Sequence, residues 1–248
     1  MNPRPFILPL AIVVVWELAG RLGLVQSELM AVPTQIARAG FLAISDGSML
    51  HATYETAVAS VWGTAIGASL GVFLGMVFGL FRLSSDLSRL TLEILRPIPS
   101  VALIPVSMLV FGFGFGMEVA VVAFATFWPP LIVTEAAVRG IEPQLLQVAR
   151  VLGFGFPRRL TKIILPAALP RIFVALRLAA AVALVVGVTV EITANPMGLG
   201  HGLIDAHESL HPDRMFAYLI WIGLLGWLLN TILLWIQYHL LARWMEVG

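Results

Sequence analysis

The chain has no cysteine and, among its 248 residues, a single lysine, Lys162. The first absence excludes disulfides and thiolate chemistry. The second goes with the lack of any G-x-x-x-x-G-K-[ST] run, which excludes nucleotide binding by a P-loop. Charge of either sign is scarce: charged residues make up 12% against 59% hydrophobic, and the mean hydropathy is +0.95. Such a composition rules out a water-soluble domain. No series of Asp, Glu or His crosses the apolar stretches, which argues against a proton-driven pump. No Pro/Ser-rich or low-complexity run divides the chain, so residues 1–248 read as a single transmembrane domain.

What remains is mostly membrane-spanning sequence. A membrane helix needs about 20 largely apolar residues, and on that measure the fold class is an all-α membrane protein of about six transmembrane helices. The expected spans are residues 6–24, 57–81, 94–113, 117–138, 172–190 and 215–241. The first resembles a signal peptide, but no small-x-small cleavage site follows it and Glu17 and Arg21 come next, so it reads as an uncleaved span. Between the first two spans, residues 34–44 fit an amphipathic helix and Ser45-Asp46-Gly47-Ser48 a turn. Gly112-Phe113-Gly114-Phe115-Gly116 turns the chain into the fourth span, and a polar loop, residues 191–213, precedes the sixth.

Orientation follows from the arginines. With the N- and C-termini cytoplasmic, twelve of the fifteen basic residues lie inside, and only Arg21, Arg38 and Arg214 lie outside. The opposite topology would export most of the positive charge.

In the second span, Gly63, Gly67, Gly71, Gly75 and Gly79 recur every fourth residue and form one glycine ridge on a helix. The ridge serves either as a surface on which a neighbour slides or as tight static packing. Spacing alone does not separate the two.

The one long basic and amphipathic segment is Gln147 to Pro166, QVARVLGFGFPRRLTKIILP, within a loop of about residues 140–166. Leu145, Leu146, Val148, Ala149 and Leu152 recur at helical spacing. Gly153 suits the end of that helix, Pro157 the first turn of a second, and Pro166 its close. Two short helices joined at a glycine, between spans four and five and facing the cytoplasm, have the form of a docking element for a soluble partner.

Other patterns compete for attention. His207-Glu208-Ser209-Leu210-His211 matches the H-E-x-x-H of an intramembrane zinc metalloprotease, which needs both histidines on one helical face. Pro212 biases His211 out of helical geometry, and the segment lies in a polar external loop. An ion-coupled secondary transporter would need internal repeats and coupling residues, and no repeat is visible. Glu135-Ala136-Ala137 sits at a helix end with the wrong spacing to any following glycine. Ser100, Ser107, Thr126 and Thr189, with Glu191 at a span end, are the polar candidates for a substrate pathway. Each hydroxyl could equally bond its own helix carbonyl.

The basic segment is similar to the cytoplasmic E-A-A-x3-G-x9-I-x-L-P loop in the permease subunits of binding-protein-dependent ABC importers. Gln147-Val148-Ala149, Gly153 and Ile163-Ile164-Leu165-Pro166 keep its spacing, with Gln147 and Val148 replacing the first Glu and Ala. From about Leu92 to Ala217 the chain resembles the nitrate/sulfonate/taurine/bicarbonate branch: Arg96-Pro97-Ile98-Pro99, Phe127-Trp128-Pro129, Leu165 to Pro170, Leu176-Arg177-Leu178-Ala179, and Glu191 with Gly198-Leu199-Gly200. The resemblance implies a permease in the inner (cytoplasmic) membrane that passes a small anionic or organic solute. It would work as a homodimer with a cytoplasmic P-loop ATPase dimer and an extracytoplasmic solute-binding protein. No cofactor is implied for this chain, ATP and Mg belonging to the ATPase, and no nucleic acid. The implied ATPase-docking residues are Leu146, Gln147, Val148, Ala149, Arg150, Leu152 and Gly153, with Arg158 and Arg159 at the rim.

Overall fold

The computed structural model describes residues 4–22 and 31–245; Leu24, where the first expected span ends, lies outside them. In chain order the helices are α1 (Arg4–Arg21), α2 (Pro33–Ser45), α3 (Ser48–Leu80), α4 (Arg82–Leu95), a 3-10 turn at Ser100–Leu103, α5 (Ile104–Phe111), α6 (Phe115–Arg139), α7 (Pro143–Val151), α8 (Phe156–Arg159), a π turn at Leu160–Ile164, α9 (Leu165–Thr193), α10 (Gly198–Glu208) and α11 (Pro212–Met245). The amphipathic helix expected at 34–44 is α2. The turn after it is held by Asp46, which accepts hydrogen bonds from the Ser48 hydroxyl and N–H at 2.7 and 2.9 Å. The Ser48 hydroxyl, then its N–H, keep the Asp46 carboxyl below the ordinary carboxylate range.

Among the described residues, four helical stretches are long and apolar enough to cross a membrane: Ser48–Leu80, Phe115–Arg139, Phe156–Thr193 and Pro212–His239. The third expected span, residues 94–113, is not one straight helix. Its chain is split between α4 and the 3-10 turn with α5, bent by 85°. Pro97 and Pro99 remove two backbone donors at that point, and α4 itself carries a charged face. α1 covers most of the first expected span, but its 18 residues include Arg4, Glu17 and Arg21, and it is not among the helices apolar enough to cross.

The core is built from α3, α6 and α9. The glycine ridge of α3 lies directly on α6. A Cβ at Gly63 would sit 2.5 Å from Val122 Cγ1, at Gly75 2.5 Å from the Leu131 carbonyl oxygen, and at Gly79 2.6 Å from Val138 Cβ. Gly67 and Gly71 press on the carbonyls of Ala123 and Phe127. The partner residues advance by about four for every four along α3, so the two helices run parallel. Helix α9 runs antiparallel to α6: Gly187 lies beside Glu118 and Val122 near one end, and Ala168 and Ile172 pack with Ala137 and Val138 near the other. Its buried stripe is small-residue again, with Ala168, Ala175, Ala179 and Ala183 between 0% and 1% exposed. Because lipid supplies no hydrophobic drive for helices to associate, close backbone approach through small residues is what holds three such spans together.

Around the ends of α3 and α11, a second cluster joins α1, α2 and α10 through Ile36, Met49, Leu199 and Tyr218. The Trp16 and Phe216 rings meet edge-on there, and the Trp221 Nε1–H donates to Thr53 Oγ1 at 2.8 Å.

Pro166 does not close a helix. The chain is helical from Phe156 to Thr193, and the wider π turn at Leu160–Ile164 precedes Pro166, which sits in the first turn of α9. A π turn shifts hydrogen bonding to i→i+5, which relieves the demand for a donor at the proline nitrogen.

Candidate functional site

Between spans α6 and α9 the chain forms a compact elbow. Pro143 opens α7 in its first turn, where a missing N–H costs nothing. The helix ends at a glycine, as its spacing predicts. Gly153 has φ +64°, its N–H reaches the Arg150 carbonyl at 3.0 Å, and the Phe154 N–H reaches the Ala149 carbonyl at 2.9 Å. This pair of bonds is a Schellman closure, which needs a left-handed residue at Gly153. Pro157 then starts α8.

The apolar residues of α7 divide between two sides. Ala149 is fully buried, and Leu146 packs on Ala137, Val138, Ile141 and Ile164 at the ends of the spans. On the other side Leu145, Val148, Val151 and Leu152 are exposed, Val151 by 88% and Leu152 by 60%. Gln147, Arg150 and Arg158 surround them, all exposed, while Arg159 is half-buried with its guanidinium 5.9 Å from the Phe156 ring centre. The Phe156 ring also stacks on Phe81 at the α3–α4 corner, 6.2 Å between centres. Val151, the most exposed of the strip, escaped the sequence reading. Periodicity shows that α7 has an apolar side but not which part of it the spans already cover.

At the opposite end of the bundle, four elements meet in a buried polar node. The first three N–H groups of α10 have no partner in their own helix and are met from outside: Gly198 by Glu55 Oε2 at 3.0 Å, Leu199 by Thr56 Oγ1 at 2.9 Å, and Gly200 by Glu191 Oε2 at 2.7 Å. Carboxylates at a helix N-terminus also complement its dipole. Beside them Asn195 Nδ2 donates to Glu118 Oε2 at 2.6 Å. Glu191 and Glu118 are 1% and 2% exposed. Gly198, at φ +91°, and Gly200 are fixed by this arrangement, since a Cβ at either would run into Glu191.

The remaining polar candidates are therefore not in one place. Thr126 is fully buried against α3, its hydroxyl donating to the Val122 carbonyl at 2.8 Å and lying 3.3 Å from that of Gly63. Thr189 is half-buried and donates to the Val185 carbonyl at 2.7 Å. Ser100 and Ser107 are half-exposed on the broken arm.

The H-E-x-x-H run does not assemble. Helix α10 ends at Glu208, Leu210 takes φ +55°, and His211 lies beyond, its N–H returning to the Ala206 carbonyl at 2.9 Å. The two histidines thus do not share a helical face, as Pro212 led one to expect. Among the described residues, no three His, Asp or Glu side chains are grouped to hold a metal.

A family model described as binding-protein-dependent transport system inner membrane component matches residues 67–246. Among curated relatives, a putative aliphatic sulfonates transport permease of Bacillus subtilis is 29% identical over 97% of this chain and 87% of its own length. A bicarbonate transport system permease of Synechococcus elongatus is 31% identical over 73% of this chain and 66% of its own. Among solved structures, a chain of the MetNI methionine ABC transporter in inward-facing conformations is similar in fold, with a TM-score of 0.61 at 20% identity, covering 77% of this chain and 93% of that one.

Proposed function

The chain belongs to the family of binding-protein-dependent transport system inner membrane components and is a permease subunit of an ABC importer, and from that premise we propose that α7 is the element through which a separate ATPase drives it. The observation that carries this is the uncovered strip of Leu145, Val148, Val151 and Leu152, presented between two spans by a helix whose other side carries the buried Ala149 and Leu146 packed on the span ends. Burial of such a strip is the main drive for docking, and Gln147, Arg150, Arg158 and Arg159 set its register.

On this reading the α7 end faces the cytoplasm, as do both termini, and the α10 end faces a solute-binding protein outside. Two copies of the chain meet two copies of a P-loop ATPase, which binds the ATP and Mg. ATP binding draws the two α7 helices together, and because Leu146 packs α7 against residues of α6 and α9, the spans must turn with it. The gain comes only from contacts that differ between the two states. The glycine ridge is then a fixed joint that moves α3 and α6 as one unit. Ser100, Ser107 and Thr189 remain open to a solute, whereas Thr126 and Glu191 hold helices in place. The relatives for sulfonates and bicarbonate favour a small anion as cargo. The test is reconstitution in proteoliposomes with ATPase and binding protein. ATP-dependent accumulation of an anion that Leu152→Asp abolishes supports the reading, and accumulation unaffected by that change contradicts it.

A further inference from the structure

The buried node at the α10 end carries more acceptors than donors. Glu118 lies in the first turn of α6 and Glu191 in the last turn of α9, and their carboxyl groups are within hydrogen-bond reach of one another. Neither forms an ion pair among the described residues, and the other charge close to both is Glu55, negative again. Two carboxylates at 2% and 1% exposure need a positive partner, because buried charges are either paired or coordinate metals.

Their oxygens divide into used and free. Glu118 Oε2 accepts from the Asn195 amide at 2.6 Å, and Glu191 Oε2 from the Gly200 N–H at 2.7 Å. The Oε1 atom of each has no partner among the described residues, and neither have Asn195 Oδ1 and Ser60 Oγ. Asn195 is 3% exposed and Ser60 8%, so bulk water does not supply what is missing. The free atoms belong to one place. The Asn195 amide is fixed on Glu118, while Glu118 Oε1 and Ser60 Oγ each lie 3.2 Å from where a Cβ of Gly187 would stand. Glycine at 187 keeps that side of α9 clear between them.

Three of these four oxygens can only accept. A proton shared by the carboxylates would join that pair, but it would leave the Asn195 oxygen unmet and one negative charge buried. A divalent ion cancels both charges and engages all four oxygens. Carboxylates, an amide carbonyl and a hydroxyl form the hard oxygen set that calcium takes in flexible geometry, whereas magnesium demands a near-ideal octahedron and keeps its waters.

We propose that Glu118, Glu191, Asn195 and Ser60 form a binding site for one hard divalent cation, calcium by preference, that ties α3, α6 and α9 together at the α10 end. Because Glu191 also holds the Gly200 N–H, the ion fixes the start of α10 as well. The site does not depend on the importer reading; on that reading it clasps the outer ends of the spans.

The test uses the transporter purified in detergent without nucleotide and stripped with a chelator. After calcium is restored and the excess removed by gel filtration, elemental analysis should find calcium retained by the wild type. Its melting temperature should rise by several degrees from chelator to calcium and go on rising with the logarithm of calcium concentration, as mass action requires. Sodium at equal ionic strength should give no such rise. Glu118→Gln keeps the side chain's shape and removes one charge. It should lose the calcium response, yet in chelator melt no lower than wild type, because the like-charge repulsion has gone; a purely structural Glu118 would give a lower melting temperature. Ser60→Ala should raise the calcium needed for half the effect about tenfold. A wild type that melts alike in calcium and chelator overturns the proposal, as does a Glu118→Gln that responds to calcium as wild type does. A rise produced by sodium alone overturns it in favour of a monovalent ion. None of these results touches the importer reading, which fails separately if the purified chain brings no ATPase with it.

Discussion

Consider Gly67→Val on the α3 ridge. A Cβ at Gly67 would fall 2.9 Å from the Ala123 carbonyl carbon and nearer still to its oxygen, and backbone cannot rotate away as a side chain can. The helices must separate by an appreciable fraction of an ångström, and a gap of about 0.5–1 Å already forfeits a quarter to a half of the dispersion attraction across it. Overpacking of this kind costs about 1–3 kcal/mol. The upper half of that range is expected here, because valine adds two methyl groups beyond the offending Cβ. The control is Gly223→Val in α11, where nothing lies within 4 Å of the added atom; such a site should change stability by no more than about 0.5 kcal/mol. Thermal melting in detergent, followed by size-exclusion chromatography of the surviving fraction, should show a drop of several degrees for Gly67→Val alone. Equal melting of Gly67→Val and wild type, with Gly223→Val lower, would refute the parallel α3–α6 contact.

Gly153→Pro should abolish transport while leaving membrane insertion intact, because φ +64° is closed to proline and the end of α7 must be rebuilt; uptake and membrane yield measured together check this. Glu191→Ala should lower the melting temperature by leaving the Gly200 N–H buried and unpaired, a cost of about 1–3 kcal/mol, whereas Glu191→Gln keeps an acceptor and should recover most of it. His207→Ala with His211→Ala should leave ATP-dependent uptake unchanged, since the break in α10 separates the two rings; a loss of activity together with loss of bound zinc would reopen the protease reading.

Much of this was legible in the chain itself, for reasons that differ by residue. The glycines of α3 announce a close helix contact because their period of four is that of one helix face, and Gly153 announces a helix end because few other residues tolerate its φ. The composition supplies the class of fold, and the block order from Leu92 to Ala217 supplies the family. Sequence reading failed where one local rule met another. Pro166 reads as a stop, yet a π turn just before it lets the helix pass. Residues 94–113 are apolar enough for a span, but the average over a window hides a break at Pro97 and Pro99. The stripe of alanines on α9 was overlooked because alanine is common in any membrane helix. Nor could periodicity reveal that Leu146 and Ala149 face inward while Val148 and Leu152 face out, or that Glu118, Glu191 and Asn195 converge in one node. Those depend on where a second helix lies.

The most direct test of α7 as the drive point is the native mass of the complex purified in mild detergent through a tag on this chain. Two copies of the chain with two copies of a P-loop ATPase are expected, and Leu152→Asp, on a side chain 60% exposed and therefore dispensable for folding, should release the ATPase while the spans stay assembled. A chain that travels without an ATPase, or one that keeps it undiminished in Leu152→Asp, would contradict the assignment.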